Sequence, residues 1–231
     1  MSARGERDLD WQLGITVGLL VYMAFVLDLF GFLARDELWL RLLMLAASAL
    51  YLVYYYYVAD DPLWDAIITN ALLAAANLLM IVVVVLERTT FSMSKETVAL
   101  YRAFPMLSPG QFRRILKAAR DVHAPARKEL TRAGTAVANL YYVVDGPFGI
   151  QKGAQAVRVD GGAFIGEIAF LTGAPASATV SVEPGTRYLE WEADALHRLI
   201  RKSPKLRLAL SAQFNDDLVR KVANSMPGLG V

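Results

Sequence analysis

The stretch that decides the fold is "FIGEIAFLTGAPASATV", Phe164 to Val180. A glycine and a glutamate lead into a short apolar turn. Gly-x-Pro, small residues and Thr-Val follow. The pattern is that of a loop built to hold a phosphate, yet it contains no arginine or lysine. Its neighbours alternate like strands and close on turn residues. Upstream lie "NLYYVVDG" (139–146), "FGIQKG" (148–153) and "QAVRVDGG" (155–162). Downstream, "SATVSVEPG" and "RYLEWE" are two more strands with a Pro-Gly turn between them. Asp-Gly and Pro-Gly pairs between alternating runs are turn signals with a conformational cause.

Helical periodicity brackets these strands. "SKETVALYRAF" (94–104) opens on a serine cap with acid near its start. "SPGQFRRILKAAR" (108–120) has Ser108 as cap and Pro109 at the first helical position. After the strands come "EADALHRLIRKS" and "KLRLALSAQFNDDLVRKV" (205–222). Short strands with tight turns between helices predict an α+β fold, a small β-roll or jelly roll flanked by helices.

Further out, the composition changes. The chain is 55% hydrophobic with a net charge of +2, and the apolar excess sits in residues 11–86. Three runs there (11–33, 38–58 and 63–86) reach the roughly 20 residues that cross about 30 Å of hydrocarbon as a helix. The first is too long and too mixed in flanking charge for a cleaved signal peptide. Bases are sparse before residue 88 and frequent after it, among them Arg88, Lys95, Arg102, Arg113, Arg114, Lys117 and Arg120. That bias predicts an N-terminus outside and a cytoplasmic C-terminal domain in a cell or inner membrane. Trp11, Trp39, Trp64 and Tyr54–Tyr57 lie near span ends, at headgroup level. Asp28 and Arg41 are expected to pair. Asn70 and Asn77 share a face, and Gly14 and Gly18 form a GxxxG; both features point to helix association and a homodimer. Three spans with two amides make a poor pore, which disfavours a channel or transporter.

The expected division is an outer tail (1–10), a three-helix membrane region (11–86) and a juxtamembrane helical segment (87–120). A roll domain (121–224) and a tail (225–231) complete it. The basic residues of the juxtamembrane segment suit anionic lipid, so the bilayer is the expected partner and nucleic acid is not. With no cysteine, no disulfide, zinc–thiolate site or thiol nucleophile can form. His123 and His197 have no metal-type spacing and read as surface or helix histidines. No metal site and no catalytic constellation is visible, so a non-enzyme is expected.

In order along the chain, "FPMLSPGQFRRIL", "ELTRAGTAVANLYYVVDGPFGI", "FIGEIAFLTGAPASATV" and "ALHRLIRKSPKL" resemble a cyclic-nucleotide-binding domain over roughly 104–222. Three spans ahead of such a domain resemble the Popeye-domain family. "ERTTFSMSKETVALYRAFPML" resembles that family's junction, and residues 187–222 its C-terminal part. The family's animal members carry Asp-Ser-Pro-Glu and Phe-Gln-Val-Thr motifs. Here Gly166-Glu167 and "SATVSV" stand in their place, so the chain resembles a divergent, prokaryotic-type member.

The resemblance implies a phosphate-binding cassette. Gly166 and the amides of Glu167, Ile168 and Ala169 would meet phosphate or ribose, and Glu167 would hold the ribose 2′-hydroxyl. Ser177 would share the phosphate, while Ala178 and Thr179 would contact phosphate and base. The family's arginine falls on Ala176. Losing such a charge partner costs about 2–5 kcal/mol, roughly 30- to several thousand-fold in affinity. Lys152 or Arg158 could supply the charge instead. Otherwise Glu167 would merely cap a turn and Ser177 would face solvent. The implied function is a membrane-anchored cyclic AMP sensor, with no other cofactor, acting on a membrane or cytoplasmic protein partner. The lid candidate is Pro204 to Val222. The alternative is a ligand-free scaffold that keeps the fold for assembly.

Overall fold

In the computed structural model the backbone is described for residues 3–225 and the side chains for residues 17–221. The chain divides into two compact units, 1–88 and 89–231.

The first unit is three helices: α1 (Ala3–Leu33), α2 (Glu37–Tyr57) and α3 (Trp64–Arg88). Helix α1 begins at Ala3, so residues 3–10 are helical. Asp36 caps α2, accepting from the Leu38 amide at 2.8 Å, and also receives Arg88 Nη1 at 2.7 Å. Among the described residues, two helices are long and apolar enough to cross a membrane, α2 and α3. The apolar part of α1 within the described side chains, Val17–Leu33, is shorter than that. Trp39, Trp64 and Tyr57 are exposed, while Trp11 lies outside the described side chains.

The polar groups of this unit pair differently from expectation. Arg41 Nη1 donates to Asn77 Oδ1 at 3.3 Å rather than to Asp28. Asn70 Nδ2 donates to the Ser48 carbonyl at 2.8 Å. Both asparagines are buried on α3 and bond with α2 of the same chain. Of the GxxxG pair, Gly18 faces open space, and Gly14 is outside the described side chains.

The second unit opens with α4 (Lys95–Tyr101) and α5 (Pro109–Lys117). Ser94 caps α4. Ser108 and Gln111 form a reciprocal capping box on α5. Eight strands follow: β1 (Arg120–His123), β2 (Lys128–Thr131), β3 (Asn139–Asp145), β4 (Pro147–Lys152), β5 (Gln155–Asp160), β6 (Ala163–Ile165), β7 (Thr179–Val182) and β8 (Arg187–Glu192). A short helix, α6 (Glu167–Thr172), separates β6 from β7, and α7 (Ala193–Arg201) and α8 (Pro204–Ser225) follow β8. The expected helix through Arg120 stops at Lys117, because Arg120 already pairs with Glu190 in β1.

The strands form two antiparallel four-stranded sheets, ordered β1-β8-β3-β6 and β2-β7-β4-β5. Alternation divides their side chains between two cores. Tyr141, Val143, Ile165 and Tyr188 of one sheet meet Leu130, Phe148, Val180 and Val182 of the other inside the roll. Leu140, Tyr142, Phe164, Leu189 and Trp191 face outward. There they bury Phe104, Phe112, Leu196, Leu206, Leu210 and Phe214 from the flanking helices.

Candidate cyclic-nucleotide cassette

The cassette runs from β6 through α6 to β7. Gly166 turns the chain in the left-handed region, at φ +87°. A Cβ there would lie 3.1 Å from Val137 Cγ1, so both conformation and space ask for glycine. Gly173, at φ +72°, ends α6. The first-turn amides of α6, those of Glu167, Ile168 and Ala169, have no partner within the helix. The Ile168 side chain is exposed and Ala169 is buried.

Glu167 is 5% exposed. Its side chain does not cap α6, whose cap residue is Gly166. Instead Oε1 receives Lys221 Nζ of α8 at 2.7 Å. Lys221 Nζ also donates to the Phe164 carbonyl at 2.5 Å and pairs with Asp217 Oδ2 at 2.8 Å. Asp217 Oδ2 receives the Phe164 amide at 3.4 Å. Burial, with the Asp217 carboxylate nearby, lifts the Tyr142 phenol to about 12. On α7, His197 stacks on Phe170 of α6 at 4.1 Å, so it is a packing residue.

The far end of the cassette is strapped by the β2–β3 segment. Ala176 N–H donates to the Thr135 carbonyl at 2.9 Å, and Gly134 N–H donates to the Ala176 carbonyl at 2.8 Å. Thr179 Oγ1 accepts the Ala133 amide at 3.0 Å, and Thr131 Oγ1 donates to the Ala178 carbonyl at 3.2 Å. Thus Ala176, at the arginine position, is buried with its amide already donated. Thr179 keeps its hydroxyl hydrogen and one oxygen lone pair for a ligand. Ser177 is exposed and has no protein partner among the described residues.

The two cations proposed as substitutes are placed unevenly. Arg158 lies opposite Gly149, which lies opposite Ser181, so the three share the outer face of their sheet. Phe148, Val180 and Val182 face the interior, and Arg158 is therefore turned away from it. Lys152 keeps the inward register of Phe148 and Ile150 but sits at the hairpin tip, opposite Gln155.

Sequence reasoning missed Lys221, Asp217 and Arg132. The residues flanking Arg132 both bond the cassette, and its own Nε meets Glu129 Oε1 at 2.8 Å. Only the Asp217–Lys221 spacing, four apart on one helix face, hinted at a paired cluster.

Residues 121–203 match the family model of the cyclic nucleotide-binding domain. The roll is of the cyclic nucleotide-binding type. Over 121 residues the chain is 29% identical to a cyclic nucleotide-gated potassium channel of Mesorhizobium japonicum. The match covers 52% of this chain but only 34% of that relative's length. Among solved structures, a cyclic nucleotide-binding protein of Geobacter metallireducens is similar at 15% identity and TM-score 0.49, covering 56% of this chain and 98% of that one. The catabolite activator protein of Thermus thermophilus is similar at 21% identity and TM-score 0.39, covering 59% and 58%. Domains of this type are typically regulatory rather than catalytic.

Proposed function

We propose that the chain is a membrane-anchored, Popeye-like sensor of a cyclic nucleotide, with cyclic AMP the first candidate, that regulates a protein partner. The observation that carries this reading is Glu167. It is a buried carboxylate set on a left-handed Gly166 turn, with Oε1 held by Lys221 and no protein donor at Oε2 among the described residues. A carboxylate oxygen in that position accepts a sugar hydroxyl. The spans 11–33, 38–58 and 63–86 would anchor the domain on the cytoplasmic side, N-terminus outside. The lipid bilayer is then a partner, and the Gly14–Gly18 face of α1 is the candidate for pairing two copies.

The strap favours a second reading. Because the Ala176 amide is spent on Thr135, the phosphate would be left with weak partners, as in a ligand-free scaffold. Calorimetry on the full chain in detergent, with cyclic AMP and cyclic GMP, separates the two. A sensor gives saturable heat, and Glu167→Gln weakens binding by about tenfold, as expected when a charge-assisted hydrogen bond becomes a neutral one. Absence of heat at millimolar nucleotide supports the scaffold.

A further inference from the structure

The turn between α7 and α8 concentrates positive charge. Arg198, Arg201, Lys202, Lys205 and Arg207 fall within a stretch, 198–207, that holds no acid. All five are exposed. None has an ion pair or a side-chain hydrogen bond among the described residues. The next carboxylates along α8 are engaged elsewhere, Asp216 with Arg220 and Asp217 with Lys221. Local structure accounts for only part of the cluster. Arg198 and Arg201 stand in the last turn of α7, where cations suit the helix dipole. Lys205 and Arg207 stand in the first turn of α8, which carries no acid, at the end where the same dipole disfavours cations.

An apolar side chain stands among these bases. Helix α8 turns Leu206, Leu210 and Phe214 into the core it shares with the other helices. Its opposite side shows Lys205, Leu208 and Ala212, spaced three and four residues apart. Leu208 is 69% exposed. Bases around an exposed leucine on an amphipathic helix make a surface that suits an anionic bilayer. A sugar–phosphate backbone offers the leucine nothing, whereas the headgroup–acyl boundary takes it up. The chain supplies proximity as well. The second unit starts at Thr89, directly after α3 ends at Arg88. Met93, near that start, packs on the same core as Leu199 and Ile200 of α7.

We propose that the α7–α8 corner is a docking surface for anionic phospholipid headgroups. Arg201, Lys202, Lys205 and Arg207 meet the phosphates, and Leu208 enters the headgroup–acyl boundary. This rests on the reading of residues 1–88 as a membrane anchor, and it draws on none of the cassette residues. The attraction is electrostatic first. It therefore weakens as salt shortens the screening length from about 10 Å at 0.1 M to about 3 Å at 1 M.

The test uses the full chain, whose lack of cysteine lets a single label be placed at will. Leu208→Cys carries an environment-sensitive fluorophore. Arg158→Cys, exposed on the outer face of the β2-β7-β4-β5 sheet, is the reference. Each protein is reconstituted in vesicles of phosphatidylcholine, with or without phosphatidylglycerol. With phosphatidylglycerol the label at 208 should shift to the blue and be quenched by lipid carrying a headgroup nitroxide. Both effects should be lost in about 1 M salt, in phosphatidylcholine alone, and when Lys202→Gln, Lys205→Gln and Arg207→Gln are combined. The label at 158 should stay in water throughout. Equal emission at 208 in the two vesicle types overturns the inference, as does an equal shift at 158. So does a response at 208 to soluble RNA or inorganic phosphate with none to phosphatidylglycerol, which assigns the corner to a soluble anion. In each of these outcomes the chain still floats with the vesicles, and the anchor reading stands. A chain that leaves the vesicles on flotation overturns both.

Discussion

Arg187 joins three parts of the second unit. Its Nε and Nη2 grip Asp121 at 3.0 and 2.6 Å, and Nη1 reaches Glu96 of α4 at 2.6 Å. The fork holds the Asp121 carboxyl below its usual range. A depressed carboxylate contributes stability that is present above its unfolded value, about 4, and is lost as pH falls through the folded one. Asp121→Asn should therefore flatten the acid limb of a stability–pH profile, measured by denaturant midpoint. Tyr142 acts at the other end of the scale. Its phenol is raised to about 12 by burial, so its contribution is present below about pH 10 and lost as pH rises towards 12. Tyr142→Phe should remove that alkaline loss. At this scale the sequence drew the eye to Gly166 and Glu167, whose roles in a site came from the resemblance, and the structure adds the left-handed turn at Gly166. Lys221 was hidden, because a lysine on an amphipathic helix looks like any solvated base until Glu167, 54 residues away in the chain, is seen beside it.

Helix α8 is held by more than its ion pairs. Phe214 is fully buried, with its ring 5.0 Å from Phe164 and 5.9 Å from Phe170. Phe214→Ala should cost about 3–5 kcal/mol of the unit's stability, read as a shift in denaturant midpoint, and should loosen the cassette with it. The elements legible from sequence were those with clear alternation or caps, β3, β4, β5, β7, β8 and the capped α4 and α5. Strands β1, β2 and β6 were not. "RDVH" and "KELT" are four-residue edge strands rich in charge, the composition that keeps edges from pairing with other chains. "AFI" is buried at all three positions, so no alternation marks it. The strap from Arg132 to Ala138 was invisible for another reason. Its bonds to Ala176 and Thr179 are made by its own backbone amides and carbonyl, and side-chain patterns do not report those.

For the whole molecule, the absence of native cysteine makes topology directly measurable. Asp60→Cys, in the α2–α3 turn, should react with an impermeant thiol reagent in intact cells. Arg35→Cys, in the α1–α2 turn, should react only after permeabilisation. The reverse pattern contradicts an outside N-terminus with a cytoplasmic roll. The most direct measurement concerns where a ligand lands. Full-length protein in membranes is photolabelled with 8-azido cyclic AMP, and the modified peptide is located by mass spectrometry. If Glu167 and the Gly166 turn hold a cyclic nucleotide, the label falls on residues of the roll that line the cassette, is competed by unlabelled cyclic AMP and is lost in Glu167→Gln. Uncompeted label, or competed label confined to residues 1–88, would contradict a cyclic-nucleotide site in the cassette.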